Sequence, residues 1–370
     1  MSSQSSALFS PLQLGDLTLD NRIVVSPMCQ YAATDGVAED WHLMNLGQYA
    51  MGAAGLVFVE ATAVTPQGRI SPKCLSLHND ACENGLKRIV DFCKQYGVSK
   101  IGIQLAHAGR KASTHPPSGG GKPLQDDEGA WPTIAPSALP YDSDWHVPHA
   151  LSLDDIAELR QHFLDAAARS LRIGFDVIEL HGGHGYLLHQ FMSPISNRRD
   201  DQYGGSLENR IRLPLEIMAD LRALVPSGYP LGIRISATDW VDGGWTPEET
   251  VVLCQRMKEI GCDFVDITSG ALDPRQKIPL GPGYQVPFAE KVKREAEITT
   301  MTVGMIRDPH LAEKIVSGGQ ADLIALARGM MYDPRWAWHA AITLGAETPY
   351  APQYARANPR AWPLAFPELD

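Results

Sequence analysis

Eight short apolar runs rich in β-branched residues recur along the chain, and each is followed by an amphipathic segment. The runs are RIVVSP from Arg22, GLVFVEA from Gly55, KIGIQLAH from Lys100, FDVIELH from Phe175, LGIRIS from Leu231, DFVDITS from Asp263, TTMTVG from Thr299 and DLIALAR from Asp322. The intervening segments carry apolar residues at spacings of three and four, which indicates helices. Strands that alternate with helices pair in parallel, and eight strands buried on both faces are typical of a closed barrel.

We therefore predict an α/β fold, a (β/α)₈ TIM barrel, formed as one domain over residues 1–370. The alternative is an open doubly wound sheet that binds a dinucleotide. That fold holds the pyrophosphate on a G-x-G-x-x-G turn, and no such motif follows any of the eight runs. The pattern favours the barrel.

Residues 112–150 interrupt the alternation after the third strand, with no helical period and a Pro- and Gly-rich stretch, PPSGGGKP. Connections of this length are uncommon and usually functional. A disordered insertion is the alternative interpretation. Trp131, Tyr141 and Trp145 are costly to leave in water, so we predict a long ordered excursion beside the barrel opening.

Composition excludes several classes of function. The formal net charge is −11, which repels the phosphate backbone of nucleic acids. The N-terminal sequence has neither the basic start nor the apolar core of a secretory signal, and no apolar run is long enough to cross a bilayer, so we expect a cytoplasmic protein with no membrane partner. The six cysteines form no C-x-x-C motif, and we expect most of them to be reduced core thiols.

The active site of a barrel of this type lies at the carboxyl ends of its strands, so the polar residues there are the candidates. They are Ser26, Pro27, Met28, Cys29 and Tyr31 after strand one, Ala61 and Thr62 in strand two, Gln104, His107, Arg110 and Lys111 around strand three, His181, His184 and Tyr186 after strand four, and Arg234 in strand five.

Arg234 lies inside the apolar run LGIRISA, where a guanidinium needs a strong anionic partner. One interpretation is an internal ion pair with Glu60 or Glu179, which also lie in apolar strands. The other, which we favour, is a bound planar anion or electron-rich ring at the barrel opening.

The last two strands end in VGMIRDP and ALARGMMYDP, and each joins a glycine to a following helix. Barrels most often bind phosphate at this position, through backbone N–H groups and a helix N-terminus. Arg328 would add a bidentate charge. Ordinary turn glycines are the alternative, but the pattern favours a phosphorylated cofactor with a ring.

The stretch HGGHGY, His181 to Tyr186, admits three interpretations. Two histidines three residues apart could bind zinc, but a catalytic zinc site needs three protein ligands, and only His107 and His189 are near candidates. The imidazoles could also serve as helix caps. We favour a substrate clamp, because N–H donors and a phenol suit a carbonyl oxygen that gains negative charge.

Several motifs together resemble the Old Yellow Enzyme family of flavin-dependent ene-reductases. They are SPMCQY, EATAVTPQGR, IGIQLAHAGRK, FDVIELHGGHGYLLHQFMSPISNRRDDQYGGSLENR and ADLIALARGMMYDP. Within the family, Cys29 after SPM and the QYAR motif near the C-terminus are similar to the bacterial thermophilic-like and xenobiotic reductase subclass.

The resemblance implies a non-covalent FMN across the top of the barrel. Its expected ligands are Ser26, Pro27, Met28, Cys29, Ala61, Gln104, Arg234, Gly304, Ala327 and Arg328. Gln104 would bond the pyrimidine edge, and Arg234 would favour the anionic reduced flavin. A glycine is more usual at position 327, where alanine restricts the backbone.

The resemblance also implies the chemistry. His181 and His184 would bind the carbonyl of an α,β-unsaturated substrate, with Tyr31 and Cys29 nearby, and Tyr186 would protonate the α-carbon. NADPH or NADH would bind transiently as the hydride donor, which agrees with the missing dinucleotide motif.

Arg356, in QYAR, resembles a residue that the subclass extends into the active site of a neighbouring subunit. We therefore expect a homodimer or homotetramer, with residues 345–370 as a C-terminal tail that contacts a neighbour. The alternatives are a dienoyl-CoA reductase, which would need an iron–sulfur segment, an aldolase or isomerase barrel, which would need a lysine or acid pair at a strand end, and a flavin-binding sensor that uses Cys29.

Overall fold

The computed structural model describes residues 6–366 and contains twelve strands in this part of the chain. In chain order they are β1 (Leu12–Leu14), β2 (Leu17–Leu19), β3 (Ile23–Val25), β4 (Leu56–Ala63), β5 (Lys100–Ala106), β6 (Ile134–Ala135), β7 (His149–Ala150), β8 (Val177–Gly182), β9 (Leu231–Ser236), β10 (Phe264–Thr268), β11 (Thr299–Thr302) and β12 (Leu323–Leu326). Residues 1–5, and residues 367–370 of the predicted tail, lie outside the described range.

Helices follow the barrel strands. They are α1 (Asp40–Ala50), α2 (Asp80–Tyr96), α3 (Leu153–Ile173), α4 (Leu187–Met192), α5 (Leu207–Arg210), α6 (Arg212–Leu224), α7 (Pro247–Glu259), α8 (Val286–Ala296), α9 (Pro309–Ser317), α10 (Arg328–Tyr332) and α11 (Trp336–Thr343). Short 3₁₀ turns add Pro66–Gly68, Gly109–Lys111, Pro117–Gly119, Asp126–Glu128, Pro352–Ala357 and Pro363–Ala365.

Eight parallel strands close the barrel in the order β3, β4, β5, β8, β9, β10, β11 and β12, with β12 paired back to β3. Each of the eight apolar runs in the sequence contains one of these strands, so the predicted barrel is confirmed. The antiparallel hairpin of β1 and β2 precedes it.

Local sequence fixes where the helices begin and end. In α3, the Ser152 hydroxyl accepts the N–H of Asp155, and the Asp155 carboxylate bonds back to the Ser152 N–H, which forms a capping box. The helix ends at Gly174, whose φ of +94° is readily adopted only by glycine. Thr246 and Glu249 form the same box at α7.

Side chains inside the barrel change from apolar to polar along each strand. In β8 the alternation places Val177, Glu179 and His181 on the inner face. Val177 belongs to an apolar cluster that fills the lower interior, and Leu14 and Leu19 of the hairpin cover that end. The polar side chains therefore collect at the upper, carboxyl end of the strands.

The excursion at residues 112–150 is ordered and packs on the chain around it. Its two short strands, β6 and β7, pair in parallel. The Trp131 indole N–H donates to the carbonyl of Gln67 at 2.9 Å, and the rings of Tyr141 and Trp145 lie 4.7 Å apart. The fold agrees with the predicted barrel and its excursion after the third barrel strand.

Residues 6–366 include no helix that is both long and apolar enough to cross a membrane.

The close packing of Gly232 against Phe264 in the lower interior generates a stability prediction. A Cβ at Gly232 would lie 2.3 Å from Cζ of Phe264, a ring with no exposed surface. We expect Gly232→Ala to lower the free energy of unfolding by about 1–3 kcal/mol through overpacking. Phe264→Leu should relieve this clash, so denaturant unfolding of the double variant should lose less stability than the sum of the single changes. Additive losses would contradict this packing.

Candidate active site

A cavity of about 410 Å³ opens at the carboxyl ends of β9 to β12. It contains four residues that the sequence predicts as cofactor ligands, namely Arg234, Gly304, Ala327 and Arg328. Its lining includes no carboxylate, and three of the lining residues are arginines, namely Arg234, Arg307 and Arg328. The cavity therefore suits an anionic ligand.

The backbone at this cavity allows a ligand to approach closely. Gly304 has a φ of +133°, and a Cβ there would lie 3.1 Å from the Tyr284 ring. Ala327, where the family more often has glycine, has a φ of −106°, which is outside the left-handed region that favours glycine. Arg328 and Gly329 begin α10 at the cavity, where the first N–H groups of a helix lack partners within the helix.

Arg234 is only 6% exposed and pairs with a carboxylate on the neighbouring strand. Its Nε lies 2.9 Å from Oδ2 of Asp266, the residue beside it in the β9–β10 register. The alternative interpretation of the sequence was an ion pair between Arg234 and Glu60 or Glu179. That interpretation named the wrong carboxylate, because the partner is Asp266. Glu60 instead lies 3.3 Å from His42, and also accepts the Gln30 N–H.

Glu179 faces Gln104 across the β5–β8 pair. The Gln104 amide nitrogen donates to Glu179 Oε1 at 2.8 Å, which leaves the amide oxygen of Gln104 free to face a ligand. Burial raises the pKa of Glu179 well above its usual range, and the Asp266 carboxylate raises it further. Burial also raises the pKa of Asp266, against the opposing effect of Arg234. One guanidinium therefore faces two carboxyl groups, and burial raises the pKa of both.

The predicted residues after β3 line the same end of the barrel. Ser26 is buried, and among residues 6–366 its hydroxyl has no hydrogen-bond partner. Pro27 and Met28 are partly buried. The nearby Cys74 thiol, together with burial, raises the pKa of the Cys29 thiol well above its usual range.

Tyr31 completes this segment in a left-handed conformation, with a φ of +53°. Burial raises the pKa of its phenol, so Tyr31 is protonated at neutral pH. All six cysteines are free thiols, as the sequence predicts.

His181, near the end of β8, lies together with His184 and Tyr186 of the turn that follows. The ring centroids are 5.2 Å apart for the two histidines and 5.0 Å apart for His181 and Tyr186. His184 lies in the left-handed region with a φ of +55°, and its N–H donates to the Ser236 hydroxyl at 2.8 Å. The strained turn brings the three side chains to one point.

Both imidazoles are neutral. Burial lowers the pKa of His181 and of His184 well below the usual value, and the nearby Arg234 guanidinium lowers both further. The Gly183 N–H donates to His181 Nδ1 at 3.3 Å, so the proton of a neutral His181 is on Nε2. That nitrogen lies 3.3 Å from His184 Nδ1, which leaves the His184 proton on Nε2, 3.1 Å from the Thr268 hydroxyl.

His189 holds this turn in place. The Gly185 N–H donates to His189 Nδ1 at 2.9 Å, and His189 Nε2 lies 2.8 Å from Oδ1 of Asp239. Both side chains are fully buried. His189 was considered from the sequence as a zinc ligand, but here it bonds to the chain itself, and residues 6–366 contain no group of three potential metal ligands.

His107, the other zinc candidate, is also part of the scaffold. Its Nδ1 accepts the N–H of Gly109 at 3.0 Å, and its carbonyl accepts the N–H of Leu187 at the start of α4. Burial lowers the pKa of His107 to about 3.

Arg356 is exposed on the 3₁₀ turn Pro352–Ala357 and does not line the cavity. Further along the tail, Trp362 is 55% exposed and Leu364 is 97% exposed. Within the described chain, the structure therefore does not bring Arg356 together with the other candidates.

Four buried residues of this site were not assigned these contacts from the sequence: Asp239, Asp266, His189 and Thr268. Asp266 had a signal, because it is a lone carboxylate inside the apolar run FVDIT. The partner of each residue depends on strand register and loop geometry, which the sequence pattern does not specify.

The arrangement fits FMN. FMN has a phosphate and a polar ring edge. Gly304 allows such a ligand to come close to the backbone, Arg328 and Arg234 supply positive charge, and the Gln104 amide can form hydrogen bonds with the ring edge. The unpartnered Ser26 hydroxyl supplies one further polar group.

The chain is similar in sequence to known flavin oxidoreductases. Residues 7–346 match the NADH:flavin oxidoreductase / NADH oxidase family. The chain belongs to this family. It is 44% identical over 351 residues to an NADPH dehydrogenase of Geobacillus sp. (strain WCH70), covering 94% of this chain and 98% of that protein. It is 42% identical to an NADH:flavin oxidoreductase of Gibberella zeae, covering 95% and 89% of the two chains.

Solved structures give the same result. Morphinone reductase superposes with a TM-score of 0.78 at 27% identity, covering 94% of this chain and 92% of that one. A 2-naphthoyl-CoA reductase complex superposes with a TM-score of 0.82 at 24% identity, which is a likeness of fold, and this chain spans about half of its length (52%).

Membership of the Old Yellow Enzyme family is therefore confirmed. The protein is an NAD(P)H-dependent flavin oxidoreductase whose cofactor is FMN, as the motifs predict.

The depressed pKa of His107 predicts how stability depends on pH. An unfolded histidine binds a proton below about pH 6.5, whereas folded His107 does so only near pH 3, so stability falls as pH decreases between these values. We expect His107→Asn to reduce the slope of unfolding free energy against pH, by up to about 1.4 kcal/mol per unit. Denaturant unfolding at several pH values measures the slope. The exposed His149→Asn is the control, and an unchanged slope in His107→Asn would contradict the assignment.

Proposed function

We propose that the protein is an ene-reductase that acts on α,β-unsaturated carbonyl compounds. The expected substrates are enones, enals and maleimides, with nitro compounds as a further class. NADPH or NADH supplies the hydride, which reaches the β-carbon by way of FMN in a ping-pong cycle, and Tyr186 protonates the α-carbon.

One observation carries the proposal: two neutral imidazoles and a phenol converge on one strained turn beside the cavity that contains Arg234 and Arg328. His181 lies beside Arg234 in the register of β8 and β9. This arrangement supports a carbonyl-binding site directly above the barrel opening.

The chain's own residues have distinct tasks in this mechanism. His181 offers its Nε2 proton, which now points to His184, to the substrate oxygen. His184 offers its own Nε2 proton, which is now near Thr268. Both donors withdraw electrons from the alkene, which prepares the β-carbon for hydride.

Tyr186 is suited to act as the acid. Burial raises the pKa of its phenol well above the usual value, so the group holds its proton at neutral pH. Neutral histidines of depressed pKa are weaker proton donors than charged ones, and their task is to bind the oxygen. The proton for the α-carbon then comes from the phenol.

FMN, when bound, supplies hydride transfer between the nicotinamide and the substrate. The residues proposed to hold it are Ser26, Pro27, Met28, Cys29, Ala61, Gln104, Arg234, Gly304, Ala327 and Arg328. Cys29 and Tyr31 are proposed to contact the substrate as well, because both are on the segment beside Ala61 and Cys74.

We further propose a cytoplasmic homodimer or homotetramer in which Arg356 and the tail from residue 345 reach a neighbouring subunit. Trp362 and Leu364 support it, because exposed apolar side chains on one segment are typical of an interface. Six free thiols agree with a reducing compartment.

Tyr186→Phe tests the assigned acid. Alkene reduction by the reduced enzyme should slow by at least about 100-fold, because general acid catalysis contributes on that scale. Reduction of the bound FMN by NADPH should change by less than about twofold, since no proton from Tyr186 is needed for it. Stopped-flow absorbance of the flavin measures the two half-reactions separately.

Tyr141→Phe is the matched control for this experiment, because its ring is near the same turn but has no assigned acid role. It should leave both rates close to those of the unaltered enzyme. An equal loss of both half-reactions in Tyr186→Phe, or no loss in either, would overturn the role of Tyr186.

Arg356 is tested by mixing subunits. If Arg356 acts in the neighbouring site, a dimer of one Tyr186→Phe subunit and one Arg356→Ala subunit contains one complete site. Such mixed dimers should recover about half of the native activity, although each parent is impaired. Differently tagged subunits allow the mixed species to be purified and assayed. Arg360→Ala is the control in the tail, and activity no higher than the mean of the parents would show that Arg356 acts within its own subunit or not at all.

A further inference from the structure

The turn Gly109–Lys111 joins β5 to the excursion and contacts three parts of the molecule. Arg110 donates to the carbonyls of Leu139 and Pro140 in the excursion, at 3.3 and 3.2 Å, and to the carbonyl of Leu272 after β10, at 3.0 Å. The excursion is therefore fixed to the barrel at the base of the active-site turn. Lys111, the next residue, extends in the direction of that turn.

The Lys111 ammonium binds two carbonyl oxygens and lies between two tyrosine rings. Nζ donates to the carbonyl of His184 at 2.9 Å and to that of Ala271 at 2.8 Å. It lies 5.2 Å from the ring centroid of Tyr186 and 4.8 Å from that of Tyr141 in the excursion. Within residues 6–366, no carboxylate forms an ion pair with it.

Both carbonyls belong to strained residues. His184 has a φ of +55° and Ala271 a φ of +71°, in the left-handed region that non-glycine residues seldom adopt. The two loops also touch directly, since a Cβ on Gly185 would lie 2.3 Å from the Ala271 carbonyl oxygen. Lys111 therefore holds together two strained loops, one of which carries Tyr186.

The charge on Lys111 has no anionic partner in this state. Burial and the adjacent Arg110 guanidinium lower the pKa of Lys111 to about 7. A negative charge on Tyr186 would reverse this effect, because an anion close to an ammonium stabilises its protonated form. The electron-rich ring of a tyrosinate also attracts a cation more strongly than a neutral phenol does.

We propose that Lys111 is a positioning residue for proton transfer from Tyr186: it holds the turn that carries the phenol and stabilises the tyrosinate that remains. In this step the Tyr186 O–H bond breaks, its electron pair stays on the phenolic oxygen, and the proton forms the new C–H bond at the α-carbon. The tyrosinate regains a proton from water. This inference rests on the proposed function of Tyr186.

Within residues 6–366, the other ionisable groups around Tyr186 do not offer a positive charge that is free to stabilise the tyrosinate, and Lys111 does. His181 and His184 are neutral, and the thiols of Cys29 and Cys74 and the phenols of Tyr31 and Tyr141 would repel a tyrosinate if they were ionised. Arg234 already faces Asp266. The Tyr141 ring of the excursion also contacts the Lys111 ammonium, so the excursion helps to cover this charge.

The experiment compares Lys111→Met with Lys111→Arg in the FMN-loaded enzyme. Lys111→Met removes the charge at similar length, and we expect alkene reduction to slow by about tenfold or more, as for loss of a charge that supports general acid catalysis. Flavin reduction by NADPH should change by less than about twofold. Lys111→Arg keeps the charge and should recover most of the lost rate.

Binding of a para-substituted phenol provides the readout that a general structural defect would change. The turn keeps the bonds from the His184 N–H to the Ser236 hydroxyl and from the Gly185 N–H to His189 Nδ1, so the dissociation constant in Lys111→Met should stay within about threefold. Titration of the long-wavelength flavin–phenol absorbance measures it. Lys122→Met, in the excursion beside Asp144, is the matched control and should alter neither rate.

Three outcomes overturn the inference: unchanged alkene reduction in Lys111→Met, equal loss of both half-reactions, or loss of phenol binding together with FMN. If Lys111→Met does not fold, Lys111→Gln is measured with the same expectations. In the Tyr186→Phe background, Lys111→Met should have almost no further effect. If Tyr186→Phe itself leaves alkene reduction intact, the proposed function fails, whereas a normal Tyr186 result with a silent Lys111→Met removes only this inference.

Discussion

The structure depends on an ion pair that is buried inside the barrel. Arg234 and Asp266 occupy neighbouring strands at the same level, above a layer of apolar side chains that excludes water from below. Removing a guanidinium from water is expensive, and one buried carboxylate compensates for only part of that cost. Glu179 beside them accepts a hydrogen bond from the Gln104 amide, and burial raises its pKa well above the usual range. The barrel therefore keeps a polar layer open to the cavity, where a ligand can accept hydrogen bonds from the Arg234 guanidinium.

The turn that carries His184 and the proposed acid Tyr186 is held by other elements. His184 and Gly185 adopt left-handed conformations. The backbone of this turn bonds to the side chains of Ser236 from β9, His189 and Gln190 from α4, and Lys111 from the turn after β5. Asp239 in turn fixes His189. Strain of this kind persists only where the surroundings determine the conformation, and it is most common at functional sites. The positions of the two imidazoles and the phenol thus depend on side chains from the surrounding elements.

The sequence predicted the parts of this molecule that follow from periodicity, and it failed where pairing depends on register. The eight strands were visible because each is apolar on both faces, and the strand ends that carry His181, Arg234 and Arg328 followed from the barrel itself. The sequence could not identify the ion-pair partner of Arg234, because several strands contain a buried carboxylate. Only the register of β9 and β10 places Asp266 beside Arg234. The contacts of His189 and Lys111 depend on loop geometry for the same reason. The motif resemblance identified the family and FMN, but it gave no account of what supports the turn.

In the proposed mechanism, the electrostatics of the site assign carbonyl binding and proton donation to different residues, although a histidine could perform both. Arg234 lies on one side of the imidazoles and Lys111 on the other, and both, together with burial, keep the pKa of His181 and of His184 low. A histidine in such a field is neutral, so it can donate a hydrogen bond to a carbonyl but has no excess proton to give. Under the proposed mechanism, the acid must then be a group whose neutral form carries the proton, and Tyr186 is the phenol on the same turn. The Lys111 ammonium, which helps to lower the pKa of both imidazoles, is also the cation that we propose to stabilise the tyrosinate. One ammonium then helps to keep the histidines neutral and supports the transfer of the proton from Tyr186.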